Sequence, residues 1–131
     1  MQSKRRTHGN LSLKRVTDFP EFQADEVFPT RNPELCRYYD LEVDQECIAT
    51  ACIDWAEPVC VIHLWIPDRY KSRRYIADAV DIFKKIAVPW FKEEGMTIIT
   101  TNCAVDDLKT KALMQTFGFE CQDVTIGLYT G

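Results

Sequence analysis

The first half of the chain has the hydrophobic pattern of an antiparallel sheet. Apolar and polar residues alternate over residues 11–16, as in a strand with one buried face. Residues 38–43 and 47–55 are rich in β-branched and aromatic residues and are separated only by the polar residues 44–46, which predicts a β-hairpin. Residues 59–66 are almost entirely apolar, which is typical of a central strand buried on both faces.

The period of the apolar residues changes to that of a helix after this strand. They recur every three or four positions on one stripe, which predicts a long amphipathic helix over residues 71–88. We expect Pro89 to end or kink this helix, because proline lacks an N–H donor and clashes with the preceding turn. Residues 96–103 are rich in Thr and Ile and predict another strand.

The remaining segments predict two short helices and a final strand. Asp106 or Asp107 can cap a helix through a side-chain oxygen, and Gly118 stands where a left-handed C-terminal cap is expected. Alternation within residues 121–129 predicts the last strand. A weak helical pattern with three prolines over residues 18–33 predicts a short helix and a loop. This order of elements indicates an α/β domain, with helices packed on a mixed sheet.

Length and composition are those of one globular domain. The chain has 131 residues, of which 46% are hydrophobic and 27% charged, and this suffices for a single core. Residues 1–10 are polar and basic without periodicity, so we predict a flexible basic N-terminal arm followed by one domain over residues 11–131. No apolar run is long enough to span a bilayer, and the net charge of −4 argues against general nucleic-acid binding. We therefore expect neither a membrane nor a nucleic acid as partner.

The six cysteines are interpreted as small buried hydrophobic residues. Most lie within apolar runs and none has C-x-x-C spacing. Unpaired thiols indicate a reducing compartment, so we predict a cytoplasmic protein. His8 and His63 are far apart in sequence and no cysteine pair has zinc-finger spacing, so no metal site is predicted.

Basic residues collect where the long helix is predicted to begin. Arg69, Lys71, Arg73 and Arg74 lie within six positions, although the dipole at a helix N-terminus disfavours cations. A bound phosphate or another anion would explain this cluster. The alternative is that these residues form the solvated first turn of an amphipathic helix.

His63 is the most informative ionisable residue because it lies inside the predicted central strand. Histidine is the residue type whose charge ordinarily changes near neutral pH, so His63 is our candidate general base. The alternative is a partly buried histidine whose ring nitrogens are satisfied by their neighbours. Asp54 and Glu57, on the preceding strand and turn, are further candidates for the base.

Three features of the chain from residue 38 onward resemble the GNAT acyltransferase superfamily. The first is the order of hairpin, buried strand, basic loop, long helix, strand and short helix. The second is the segment 62–76, which is similar to the family's central strand, Pro-containing turn and pyrophosphate loop. The third is the segment 107–119, which is similar to its closing helix with a terminal Gly-Phe. The resemblance implies a GNAT-like fold with a central mixed β-sheet flanked by helices.

The resemblance also implies a reaction and its co-substrate. Acetyl-CoA would donate an acetyl group to an amine on a small molecule or a protein, and no metal would be needed. His63, or a water held by Asp54, would remove the proton of the amine. The residues implied to bind acetyl-CoA are Leu64, Ile66, Lys71, Ser72, Arg73, Arg74, Tyr75 and Asp107.

The sequence departs from the family pattern in two places. When R/Q-x-x-G-x-G/A is aligned on Lys71, the glycine positions hold Arg74 and Ile76. Met114 stands seven residues after Asp107, where many members have a tyrosine that protonates the leaving thiolate, and methionine cannot donate a proton. A second hypothesis is therefore a non-catalytic protein of this fold, such as a phage virion or accessory component in the virion or host cytoplasm, acting through a partner protein or as a homo-oligomer.

Overall fold

An eight-stranded sheet organises the computed structural model, which describes residues 5–102, 108–121 and 126–130. The strands lie in the order β1-β2-β3-β4-β5-β6-β8-β7, with β5 and β6 parallel and all other neighbours antiparallel. The mixed sheet predicted from the sequence is confirmed. The strand bounds are β1 Arg5–His8, β2 Leu11–Val16, β3 Cys36–Val43, β4 Glu46–Ala56, β5 Val59–Trp65, β6 Ile98–Asn102, β7 Phe119–Cys121 and β8 Ile126–Tyr129.

Helices cover both faces of this sheet. One face, called here the α2 face, packs against α2, α3 and α4, and the opposite α1 face packs against α1. Within the described residues, no helix is long and apolar enough to cross a membrane. The helix bounds are α1 Glu21–Val27, α2 Arg73–Ile82, α3 Val88–Glu93 and α4 Leu108–Phe117.

The alternation of side chains along each strand divides the apolar residues into two clusters. The larger lies on the α2 face and includes Leu13, Ile53 and Ile62, from three different strands. The smaller lies on the α1 face, where Phe28 and Cys52 are buried. Strand β5 supplies buried side chains to both faces, which explains why its sequence is apolar except for His63.

The long helix does not end near Pro89, which was one of the two outcomes predicted for this proline. It continues to the end of α3, because a π-helical turn over Phe83–Ala87 joins α2 to α3. Pro89 falls in the first turn of α3, where its missing N–H and its fixed φ angle are tolerated. The chain turns after α3 at Gly95, whose φ angle of 86° favours glycine.

The N-terminal segment also differs from its prediction. We predicted a flexible arm over residues 1–10, but Arg5–His8 forms strand β1. It pairs with β2 from Arg5 opposite Lys14 to His8 opposite Leu11. All four of its residues are polar or charged, as an edge strand tolerates, so the segment has no hydrophobic pattern that would predict a strand.

The cysteines follow their prediction only in part. Cys36, Cys47, Cys52 and Cys60 are free thiols, but only Cys52 and Cys60 are buried and Cys47 is exposed. Cys103 lies outside the described residues, as does the side chain of Cys121. Burial raises the pKa of the Cys60 thiol to about 12.

Because of this raised pKa, we expect the protein to become less stable at alkaline pH. The unfolded thiol loses its proton above a pH of about 8.5, whereas folded Cys60 keeps its proton up to a pH of about 12. The free energy of unfolding should therefore fall between these values, by up to about 1.4 kcal/mol per pH unit for this thiol. In urea unfolding from pH 8 to 10.5, Cys60→Ala should show the shallower decline. Parallel declines for the parent and the variant would contradict this expectation.

Candidate functional site

Strands β5 and β6 separate part of the way along β5. Their parallel register runs from Val59 opposite Ile98 to Ile62 opposite Thr101, where the Thr101 hydroxyl donates to the Ile62 carbonyl at 2.7 Å. On its other side β5 stays paired with β4 as far as Trp65. Residues 63–65 therefore have a strand edge toward β6 that pairs with no strand in the described part of the chain.

A small apolar cavity lies beside this separation on the α2 face. Its volume is about 20 Å³, and all of its walls are hydrophobic side chains. Leu64 of β5 and Met114 of α4 both line it, together with Phe83. A cavity of this size holds about one small group, and apolar walls favour an apolar one.

Helix α2 begins just beyond β5. Ser72 is its N-cap residue, and the Ser72 hydroxyl accepts a hydrogen bond from the Tyr75 N–H at 3.4 Å. The N–H groups of Arg73 and Arg74 precede the first intrahelical bond and have no acceptor within the helix. Both arginine side chains are exposed and form no ion pair with any described residue, whereas Lys71 pairs with Asp68 at 3.0 Å.

The two residues at the glycine positions of the family pattern differ in their burial. Ile76 is half-buried and packs against the core cluster of the α2 face. Arg74 is exposed, with its guanidinium carbon 5.6 Å from the centre of the Tyr75 ring. This helix start therefore presents cationic side chains together with backbone N–H groups, in place of glycine backbone alone.

His63 and Asp54 form a buried pair on the α1 face. His63 Nε2 lies 2.9 Å from Asp54 Oδ2, and the two residues are 8% and 7% exposed. They are diagonal neighbours on β5 and β4, because Asp54 is opposite Val61 in the register. An ionised carboxylate can only accept, so His63 Nε2 donates to it, and in the neutral form of the imidazole the lone pair is on Nδ1.

The loop after α1 supplies the remaining contacts of this pair. The Asn32 N–H donates to Asp54 Oδ1 at 3.0 Å, so both oxygens of this carboxylate are hydrogen-bonded. The Thr30 hydroxyl lies 3.4 Å from His63 Nδ1. Thr30 is an exposed residue, so the buried imidazole has a neighbour at the protein surface.

Arg31 fixes the position of that loop. Its guanidinium donates to the Phe28 carbonyl at 3.2 Å and pairs with Asp25 at 2.8 Å and Glu21 at 3.0 Å. The Asp25 carboxylate raises the pKa of Arg31 further above its already high value. Thr30 and Asn32 are therefore held at the sheet by a buried cation that the sequence analysis did not single out.

The structure separates the other predicted residues. Glu57 is exposed at the turn before β5, about 20 Å along the chain from His63, so the two do not form one site. Ile66 is buried in the core beyond the end of β5. Asp107 lies outside the described residues. Within the described residues, no group of three or more His, Cys, Asp or Glu side chains could hold a metal ion.

Removal of the Asp54 carboxylate should destabilise the fold. Asp54→Ala leaves the Nε2–H of His63 and the Asn32 N–H without their acceptor, at a cost of about 2–4 kcal/mol. The measurement is the free energy of urea unfolding at pH 7. The matched control is Glu57→Ala on the same hairpin, which should stay within about 0.5 kcal/mol of the parent. Equal stabilities of the two variants would show that this network contributes little.

Similar folds are found among solved structures, although the sequence itself matches no family model and no curated protein. RimL, a ribosomal L7/L12 alpha-N-protein acetyltransferase, has a TM-score of 0.65 at 10% identity, covering 98% of this chain and 94% of that one. IAA acetyltransferase from Bacillus cereus has a TM-score of 0.61 at 15% identity, with coverages of 86% and 78%. A Bacillus subtilis acetyltransferase in complex with CoA has a TM-score of 0.59 at 13% identity, with coverages of 84% and 76%. This chain has the fold of the GNAT acetyltransferases.

Proposed function

We propose that this protein transfers an acetyl group from acetyl-CoA to an amine. The observation that carries the proposal is the position of His63, the first residue after β5 leaves β6, where it is bonded to Asp54 and has the exposed residue Thr30 as a neighbour. The fold supports the proposal because CoA is bound in at least one solved structure of this fold.

Residues around the separated strands would bind acetyl-CoA. The free edge of residues 63–65 offers N–H and C=O groups to the amides of the pantetheine, and the cavity between Leu64 and Met114 suits a methyl group. The pyrophosphate would meet the free N–H groups and guanidinium groups of Arg73 and Arg74. The family resemblance extends the binding site to Lys71, Ser72, Tyr75 and Asp107, whereas the side chain of Ile66 is buried in the core.

The His63 pair would remove the proton of the acceptor amine. An amine that attacks the thioester carbon forms the C–N bond as the C–S bond breaks, and it must lose a proton in the process. Thr30 would take this proton while passing its own to His63 Nδ1. The Asp54 carboxylate then stabilises the imidazolium that results.

The thiolate would leave without a protein acid. Met114, which stands at the family's tyrosine position, is buried in the wall of the apolar cavity and has no proton to give. A thiol with a pKa near 8.5 is a good leaving group, so its protonation is not needed for the bond to break. The positive charges of Arg73 and Arg74 would hold the departing CoA by its phosphates.

We expect His63→Gln to lower kcat by about 10²–10⁴ without changing the KM for acetyl-CoA, because only the transfer of the proton is lost. The measurement is thiol release from acetyl-CoA with a panel of peptide amines, aminoglycosides and polyamines. Thr30→Val, which removes the hydroxyl at nearly constant volume, should lower kcat in the same direction.

Two outcomes would count against this proposal. If His63→Gln is as active as the parent, His63 is a satisfied core histidine and the base lies elsewhere. If the folded parent binds acetyl-CoA but releases no thiol with any amine, the binding role of a non-catalytic relative is favoured.

A further inference from the structure

A second group of cations lies on the α2 face of the outer strands. Arg6, Arg15 and Arg37 border a groove of about 330 Å³, whose walls also include Tyr39 and Trp90. The register of the sheet places the three arginines opposite core residues of this face, with Arg6 opposite Leu13, Arg15 opposite Tyr39 and Arg37 opposite Ile53.

Each of these arginines lies against an aromatic ring. The guanidinium carbons are 4.7 Å, 5.8 Å and 4.9 Å from the ring centres, for Arg6 over Trp90, Arg15 over Tyr39 and Arg37 over Trp55 respectively. None of the three has a carboxylate within 4.0 Å in the part of the chain that the structure describes. Ring contacts hold the flat faces of the guanidinium groups and leave their N–H edges available for planar, bidentate bonds.

Two residues that line the groove also carry a buried donor that lacks an acceptor. The indole N–H of Trp90, a residue only 6% exposed, has no hydrogen-bond partner among the described residues, and the same is true of Arg15 Nε. Unsatisfied buried donors are rare, and a bound anion is one of the few explanations for them. Arg5 adds little to the local charge because its guanidinium is paired with Glu42 at 2.9 Å.

This groove is distant from the proposed acetyl-CoA site. Trp90 lies 17 positions after Arg73 along nearly continuous helix, which corresponds to about 25 Å. The groove is also on the opposite face of the sheet from His63. An anion bound here would therefore not be a phosphate of acetyl-CoA in the site described above.

We propose that the groove is a second anion site, which binds a small organic ligand through a phosphate or carboxylate group. Both groups have the planar or forked oxygens that guanidinium N–H edges recognise. The acidic residue on the wall, Glu94, opposes such a ligand and limits its affinity. The proposal does not depend on acetyl transfer.

Inorganic pyrophosphate and succinate serve as the two probes, added to the full chain at low salt. Titration calorimetry gives the affinity, and the Trp90 indole N–H resonance, assigned from a Trp90→Phe variant, reports on the groove itself. We expect this resonance to move with at least one probe, and Arg6→Gln/Arg37→Gln to weaken binding by about tenfold or more. Glu94→Gln should strengthen it several-fold, because a like charge is removed.

Two control variants separate the groove from general charge and from helix α2. Lys14→Gln/Lys109→Gln removes the same charge elsewhere and should keep the binding. In Arg73→Ala/Arg74→Ala the Trp90 indole N–H resonance should still move with the probe, although pyrophosphate bound at the start of α2 is lost. Tighter binding of pyrophosphate would assign a phosphorylated ligand, and tighter binding of succinate a carboxylate ligand. The proposal is overturned if neither probe binds up to about 10 mM, or if Arg6→Gln/Arg37→Gln binds as well as its charge-matched control. It is also overturned if the Trp90 resonance no longer moves in Arg73→Ala/Arg74→Ala.

Discussion

The candidate site depends on the point at which β5 stops pairing with β6. Up to Ile62 the two strands share a regular parallel ladder, and the Thr101 hydroxyl adds a bond to the Ile62 carbonyl. Beyond it, β5 continues along β4 for three more residues. Within the described part of the chain, the edge of residues 63–65 has no neighbour strand, and a bound amide chain would satisfy its polar groups. Leu64, in the unpaired part of β5, also lines the apolar cavity.

The register of the β4–β5 hairpin then determines which chemistry lies beside that opening. It brings Asp54 diagonally next to His63, on the face opposite Leu64. The loop after α1 has to be held firmly to complete the arrangement, and Arg31 does this through carboxylates and a carbonyl of that segment. A buried polar pair is costly unless every member has partners, so the Asn32 N–H and the Thr30 hydroxyl matter to both stability and the proposed proton path.

Patterns within a segment were predictable from the sequence, and contacts between segments were not. The strand β5 and the helix α2 could be predicted because burial on both faces gives a continuous apolar run, and burial of one helix face gives an apolar stripe. Gly118, with a φ angle of 103°, ends α4 as the sequence predicts. Strand β1 has no such pattern because it is a polar edge strand. The π-helical turn before Pro89 was not predicted either, because no local sequence pattern indicates it.

In the candidate site, too, the residues could be predicted from the sequence but their contacts could not. His63 and Asp54 could be proposed as base candidates from their residue types and strands, but their bond follows only from the hairpin register. Thr30 is 33 positions from His63, and nothing in its own segment marks it. The arginines of the second groove come from three different strands, so their grouping is a property of the sheet and not of the sequence.

The central claim is that the opening between β5 and β6, with the start of α2, binds acetyl-CoA. Calorimetric titration of the parent and of Arg73→Ala/Arg74→Ala with acetyl-CoA tests it most directly. We expect micromolar affinity for the parent and a loss of one to two orders of magnitude in the variant, from charge-assisted bonds of about 1.5–3 kcal/mol discounted for exposure. This loss should shrink as the salt concentration rises. No binding by the parent at millimolar acetyl-CoA, or equal affinities of parent and variant at low salt, would contradict the claim.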